Sequence, residues 1–252
     1  MNSTVNTPPL QPGKLQFADL RHAIRSGWQQ FRLMPALSMA YALLFVLIGG
    51  LIFFGLEHYG IAPLSVSFAG GFMLVGPALL AGFFALSDAE RRDDKPQLRT
   101  IWQGFRQLPR GGWVISLVCA LLFLIWITDA GTVYGFMIGR ETTRFNHLIS
   151  GSEAINRFLL FSSIGGAVLA FIIFTISAFS IPLIYDHRCK LVAGVAASVR
   201  TVFGNFIVCM SWAALLAVSI MVSALILPWL LLVLPVMAYA SRALYFKAFP
   251  SD

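Results

Sequence analysis

The chain of 252 residues is 58% hydrophobic and only 12% charged, with a mean hydropathy of +0.79. A soluble globule is typically about 25% charged, so the composition excludes a water-soluble enzyme domain. The formal net charge of +7 sits in short basic segments beside apolar blocks, where lipid headgroups and not nucleic acid are the expected partner.

Residues 1–16, with Pro8, Pro9 and Pro12, read as a disordered N-terminal tail, and residues 17–250 as one integral membrane domain. Lys14, Arg21, Arg25 and Arg32 precede any long apolar run, unlike a cleaved signal peptide, so the first span is expected to be an uncleaved anchor. A hydrocarbon core about 30 Å thick takes roughly 20 apolar residues per helix. Blocks of that size run over 37–56, 61–86, 113–138 and 159–185. A last block, Phe206 to Phe246, would be about 60 Å long as one helix. Pro228 near its middle divides it into spans 206–226 and 228–246.

Six spans place both termini on one side. That side then collects 15 of the 18 Lys and Arg residues, while Arg140, Arg144 and Arg157 alone fall opposite. Cytoplasmic loops carry the excess of Lys and Arg, so both termini are expected in the cytoplasm.

The segments before spans one, three and five resemble one another: LRHAIRSGWQQF from Leu20, LRTIWQGFRQL from Leu98 and AASVRTVFGNF from Ala196. Bulky residues recur at helical spacing, as Leu20, Ile24, Trp28 and Phe31 in the first and Leu98, Trp102 and Phe105 in the second. Such helices suit the cytoplasmic interface, with Arg21, Arg25, Arg99 and Arg200 towards anionic headgroups. The expected fold is therefore all-α and polytopic: six transmembrane helices as three hairpins, each preceded by an amphipathic interfacial helix. The second helix of each hairpin carries a proline, Pro77, Pro182 or Pro235. All three units share one orientation, unlike the inverted repeats of many secondary transporters.

The stretch FSIPLIYDHRCKLVAGVAASVRTVFGNFIVCMSW, Phe179 to Trp212, resembles the signature of an uncharacterised bacterial inner-membrane family classed as a domain of unknown function. Its marks here are Pro182, Asp186, Ser198, Asn205 and Trp212, and the segment from Phe68 to Ser87 resembles the family's second span. The resemblance extends over nearly everything after Phe17. It implies an integral membrane protein with amphipathic cytoplasmic segments and no established activity. Some family members carry a label relating them to cytochrome c oxidase subunit I. Haem-copper chemistry needs several imidazoles on transmembrane helices, whereas His22, His58, His147 and His187 all fall in loops, termini or interfacial segments. No metal or other cofactor is expected.

Asp129 is the one acidic residue well inside an apolar block, and intramembrane carboxylates are functional candidates by default. Proton relay or amine binding would fit; so would a structural role at a helix end, paired to an outer arginine. Gly131, Gly135 and Gly139 form two overlapping GxxxG spacings, read first as an internal packing face and second as an oligomer seam. Gly49, Gly50, Gly70, Gly71, Gly76, Gly82, Gly165 and Gly166 suggest further close approaches. Asp186, His187, Arg188 and Lys190 read first as a helix cap at headgroup level, Asn205 as a cap or an interhelical link, and Ser87 to Arg99 as a solvated loop. Cys119, Cys189 and Cys209 give no disulfide framework or metal spacing, and no GxSxG, HExxH or P-loop pattern occurs. The leading expectation is a non-catalytic membrane component, an accessory of a larger complex or a homo-oligomer. A transporter using Asp129 is second, and a lipid-interacting, membrane-organising protein third.

Overall fold

The computed structural model describes residues 11–92, 94–139, 143, 145 and 153–250, with the backbone alone for 71–78. Residues 1–10 of the expected tail, Arg140, Arg144 and His147 lie outside the described residues, as do the side chains of Gly71, Gly76 and Pro77. The helices are α1 (Phe17–Leu33), α2 (Pro35–His58), α3 (Leu64–Arg91), α4 (Leu98–Gln107), α5 (Arg110–Met137), α6 (Glu153–Ser177), α7 (Ser180–Tyr185), α8 (Leu191–Gly204), α9 (Phe206–Leu225) and α10 (Leu230–Ala248). Among the described residues there is no strand, only an isolated bridge between Ile61 and Thr143. Among the described residues, five segments are long and apolar enough to cross a membrane: α2, α5, α6 with α7, α9, and Leu227–Ala248. The apolar block over 61–86 forms the helix α3, 28 residues long.

Two blocks break where proline chemistry demands it. Pro228 sits in a short 3-10 turn, Leu227–Trp229, between α9 and α10. The block expected as one span over 159–185 is instead interrupted between α6 and α7. Pro182 has no N–H to offer the carbonyl four residues before it. One turn earlier, the Ser198 hydroxyl enters the helical ladder, donating to Thr175 O (2.7 Å) and accepting from Phe179 N (3.2 Å). Both backbone groups are thereby satisfied inside the protein, the standard requirement for a helix interruption at membrane depth.

The three amphipathic helices form as the sequence suggests and dock by a common rule. Their N-caps are Gln16, Gln97 and Lys190. Counting four, seven and eleven residues on gives Leu20, Ala23 and Gly27 in α1, Ile101, Gly104 and Leu108 at α4, and Gly194, Ala197 and Thr201 in α8, all buried. The middle position is small in every case, so backbones approach closely. At Gly104 an added Cβ would lie 2.5 Å from Ala81 O of α3, and at Gly27 one would lie 2.5 Å from Val236 O of α10. Helix α4 packs on α3, the long helix before it; α8 packs on α6 and α7; α1, with no helix before it, packs on α10, the last. The short helices thus close a ring. The bulky stripe splits in consequence: Leu20 and Phe31 turn inward, whereas Trp28 (43% exposed), Leu98 and Trp102 (68% exposed) face outward beside the exposed Arg21, Arg25 and Arg99.

The end of the expected tail also packs. Gly13 N donates to Ala248 O (2.8 Å), Leu15 N donates to Asn205 Oδ1 (2.8 Å), and Leu15 is buried. These bonds hold residues 11–16 against the bundle.

If these approaches set the docking, Gly27→Ala and Gly104→Ala should each destabilise by about 1–3 kcal/mol through overpacking against backbone. Gly131→Ala, whose Cβ meets nothing within 4 Å, should instead gain roughly 0.5–1 kcal/mol of helix stability. Thermal unfolding in detergent distinguishes the three; equal effects would contradict the docking rule.

Candidate functional site

Three charged groups from three separate helices meet in the interior. Arg242 of α10 is 3% exposed. Its Nη2 donates to Asp88 Oδ1 of α3 (2.7 Å) and to Asp186 Oδ1 at the end of α7 (3.0 Å). The guanidinium lies over the rings of Phe84 (4.6 Å), Phe246 (5.1 Å) and Tyr185 (5.4 Å), which add cation–π attraction in a desolvated setting. Arg91 covers Phe246 from its own side at 4.5 Å. Asp88 follows the apolar stretch 61–86. Burial pushes its carboxyl above the ordinary carboxylate range, Arg242 pulls it back, and Asp186 adds a smaller push. Arg242 Nε and Nη1 and the Tyr185 hydroxyl are buried without a hydrogen-bond partner among the described residues.

Local geometry explains how Asp186 and Arg188 are aimed. Asp186 is the C-cap of α7, His187 follows in the left-handed region (φ 55°), His187 N donates to Ile184 O and Arg188 N donates to Leu183 O. This pair of bonds is a Schellman ending, with histidine where glycine is usual. It turns Asp186 onto Arg242 and lets Arg188 bind the carbonyls of Phe249 (2.7 Å) and Pro250 (3.0 Å). Asn205 caps α8, its Nδ2 donating to Thr201 O and Gly13 O. Trp212 and Phe45 help line an apolar cavity of about 140 Å³ that includes Phe83, Ser241 and Leu244, sequence neighbours of the charged cluster.

Asp129 stands apart from all of this. It is exposed on α5, makes no hydrogen bond or ion pair among the described residues, and lines none of the three apolar cavities within the bundle. Exposed Thr128 and Thr132 flank it, each donating back to the carbonyl four residues earlier (2.8 Å). Gly131 and Gly135 meet nothing within 4 Å, so the expected internal packing face is open instead. Gly139, with φ 72°, follows the C-cap Ile138 and serves to end α5. Close approaches occur at other glycines: Gly70 and Gly166 face Trp126, and Gly82 faces Tyr41, whereas Gly49 and Gly50 only touch Leu227 and Gly165 touches nothing. Arg200, like Arg21, Arg25 and Arg99, is exposed.

Sequence reasoning passed over Asp88 and Arg242. Asp88 was grouped with the solvated run from Ser87 to Arg99. Arg242, however, falls inside the apolar block 228–246, and the rule that singled out Asp129 applies to it equally.

Residues 64–186, 123 of the 252, match the model of a family described as "Predicted integral membrane protein (DUF2189)". The match takes in Asp88, Pro182 and Asp186, and ends before Ser198, Asn205, Trp212 and Arg242. No curated protein and no solved structure matches the chain. The chain is an integral membrane protein of unknown function.

Replacing Arg242 with Leu leaves the half-buried Asp88 and Asp186 without their counter-ion. The expected loss is about 1.5–3 kcal/mol, the range for hydrogen bonds to charged groups. Thermal unfolding of the purified variant reads it, and an unchanged midpoint would mean that the cluster contributes no stability.

Proposed function

We propose that the protein is a non-catalytic component of a larger membrane assembly, docking on its partner through the outward face of α5. In this reading α3 is a sixth span, the long helices form three hairpins, and the short helices lie at the cytoplasmic surface of a bacterial inner membrane. The 15 Lys and Arg residues gathered on that side, against three opposite, support this orientation.

The observation that carries the reading is Asp129. It lies eight residues before Met137, about 12 Å along the helix axis from that end, within an apolar span. An acidic side chain at a span centre opposes insertion by about 3 kcal/mol, and this one has no hydrogen-bond donor or cation of its own bundle among the described residues. A helix bearing a hydrogen-bond donor or a cation at that depth would answer it, and Gly131 and Gly135 leave room for close approach. Transport through Asp129 has less support, because the residue faces away from the interior cavities. Mild-detergent purification from native membranes, with native sizing and mass spectrometry, is the test. A stoichiometric partner or oligomer that Asp129→Leu loses, with helicity kept, is the expected result; a lone wild-type chain would overturn the reading.

A specific observation also favours direct lipid engagement: the exposed aromatic and arginine faces of the ring of short helices. Basic residues at an anionic surface are worth about 1 kcal/mol each. Changing Arg21, Arg25, Arg99 and Arg200 to Gln should abolish the stabilisation that phosphatidylglycerol gives over phosphatidylcholine vesicles. Equal responses of variant and wild type would remove the lipid role.

A further inference from the structure

We propose that the Arg242 cluster is a proton-binding site that responds to the pH on the side of the short helices. Asp88 Oδ1 and Asp186 Oδ1 contact the same nitrogen at 2.7 and 3.0 Å, so they lie no farther apart than the sum of these, 5.7 Å. One guanidinium neutralises one carboxylate. The second is in excess, and a like charge this close, added to burial, raises the proton affinity of Asp88. Arg242 is held at the meeting point by three aromatic rings and cannot move away to be replaced by water.

The surroundings are built for the protonated form. A protonated carboxyl is a hydrogen-bond donor that needs an acceptor. The phenol oxygen of Tyr185 is buried here without a hydrogen-bond partner among the described residues, its ring lies against the guanidinium, and the Tyr245 phenol interacts with Asp186 and Arg188. The charges that act on Asp88 are Arg242 from α10, Asp186 from the end of α7 and Arg91 from its own helix. Arg188 is engaged by the Phe249 and Pro250 carbonyls, and Glu90 by Gln30 of α1. No covalent chemistry is involved: one proton from water joins one carboxylate oxygen, and the site changes from net −1 to neutral.

The sign follows from linkage. The folded protein binds this proton more tightly than the unfolded chain, whose aspartates titrate at about 3.9. The resulting stabilisation is complete below that value and is lost as pH rises through the higher value of the folded state. Asp88 shows the direction, raised by burial against the pull of Arg242.

The test is the thermal midpoint of the full-length protein in detergent, followed in steps from about pH 4 to about pH 8, upward from the ordinary aspartate range. The wild type should lose midpoint relative to Asp88→Asn on going to the higher pH, by roughly 2–4 °C. Asp186→Asn, which leaves one carboxylate for one guanidinium, should remove the same dependence. Curves for wild type and Asp88→Asn that run parallel would overturn the proposal. Should a variant not fold, infrared spectra of the unaltered protein decide: a neutral-carboxyl band that grows on acidification above the ordinary aspartate range supports the site, and its absence sinks it.

Discussion

Arg242 is the point at which the separate parts of this fold become one body. It reaches from the last long helix to carboxylates on α3 and at the end of α7. A buried ion pair is weak evidence of net stabilisation, because desolvation opposes the Coulomb gain. Its value here is geometric. A slide of α10 by one helical turn would part the buried Arg242 from two half-buried carboxylates, so the cluster disfavours alternative registers.

The ring of short helices works on the opposite principle. Among the described residues it contains no comparable ion pair; it depends on small residues that let backbones approach closely. Ala23, Gly104 and Ala197 occupy the same distance from their N-caps, and each turns towards a long helix. Because α1 docks on α10, chain start and chain end are brought together, and residues 11–16 extend that contact to Asn205 and Ala248. Short-range dispersion fixes how near the helices lie, while the central charges fix their register.

Much of this was readable in the chain. Apolar runs of bilayer length located the long helices, Pro228 marked a turn, and three-and-four spacing found all three amphipathic helices. What could not be read is direction. Ser87 to Arg99 holds eight charged residues, and nothing in their order says that Asp88 reaches Arg242. Periodicity likewise puts Leu20 and Phe31 on one stripe with Trp28, although a helix lying between protein and lipid has two apolar faces. Spacing of glycines misled for the same reason: the GxxxG run at Gly131 is open, while the contacts of Gly166 and Gly82 depend on Trp126 and Tyr41, far away in sequence. Ser198 belongs to this class too, since its partners lie one turn and one helix away.

Two polar demands remain after the apolar surface is accounted for, and they have opposite solutions. At Arg242 the chain supplies its own counter-charges, encloses them and covers them with aromatic rings. At Asp129 it supplies none among the described residues and turns the carboxylate outward on a helix whose neighbouring glycines add no bulk. A self-sufficient membrane bundle would be more stable with Leu at that position, because removing the carboxylate would remove its insertion penalty. The contrast between an internally completed cluster and a carboxylate without a partner among the described residues is what the proposed role in assembly rests on: the first ties three elements of the bundle together, and the second lies on its outer surface.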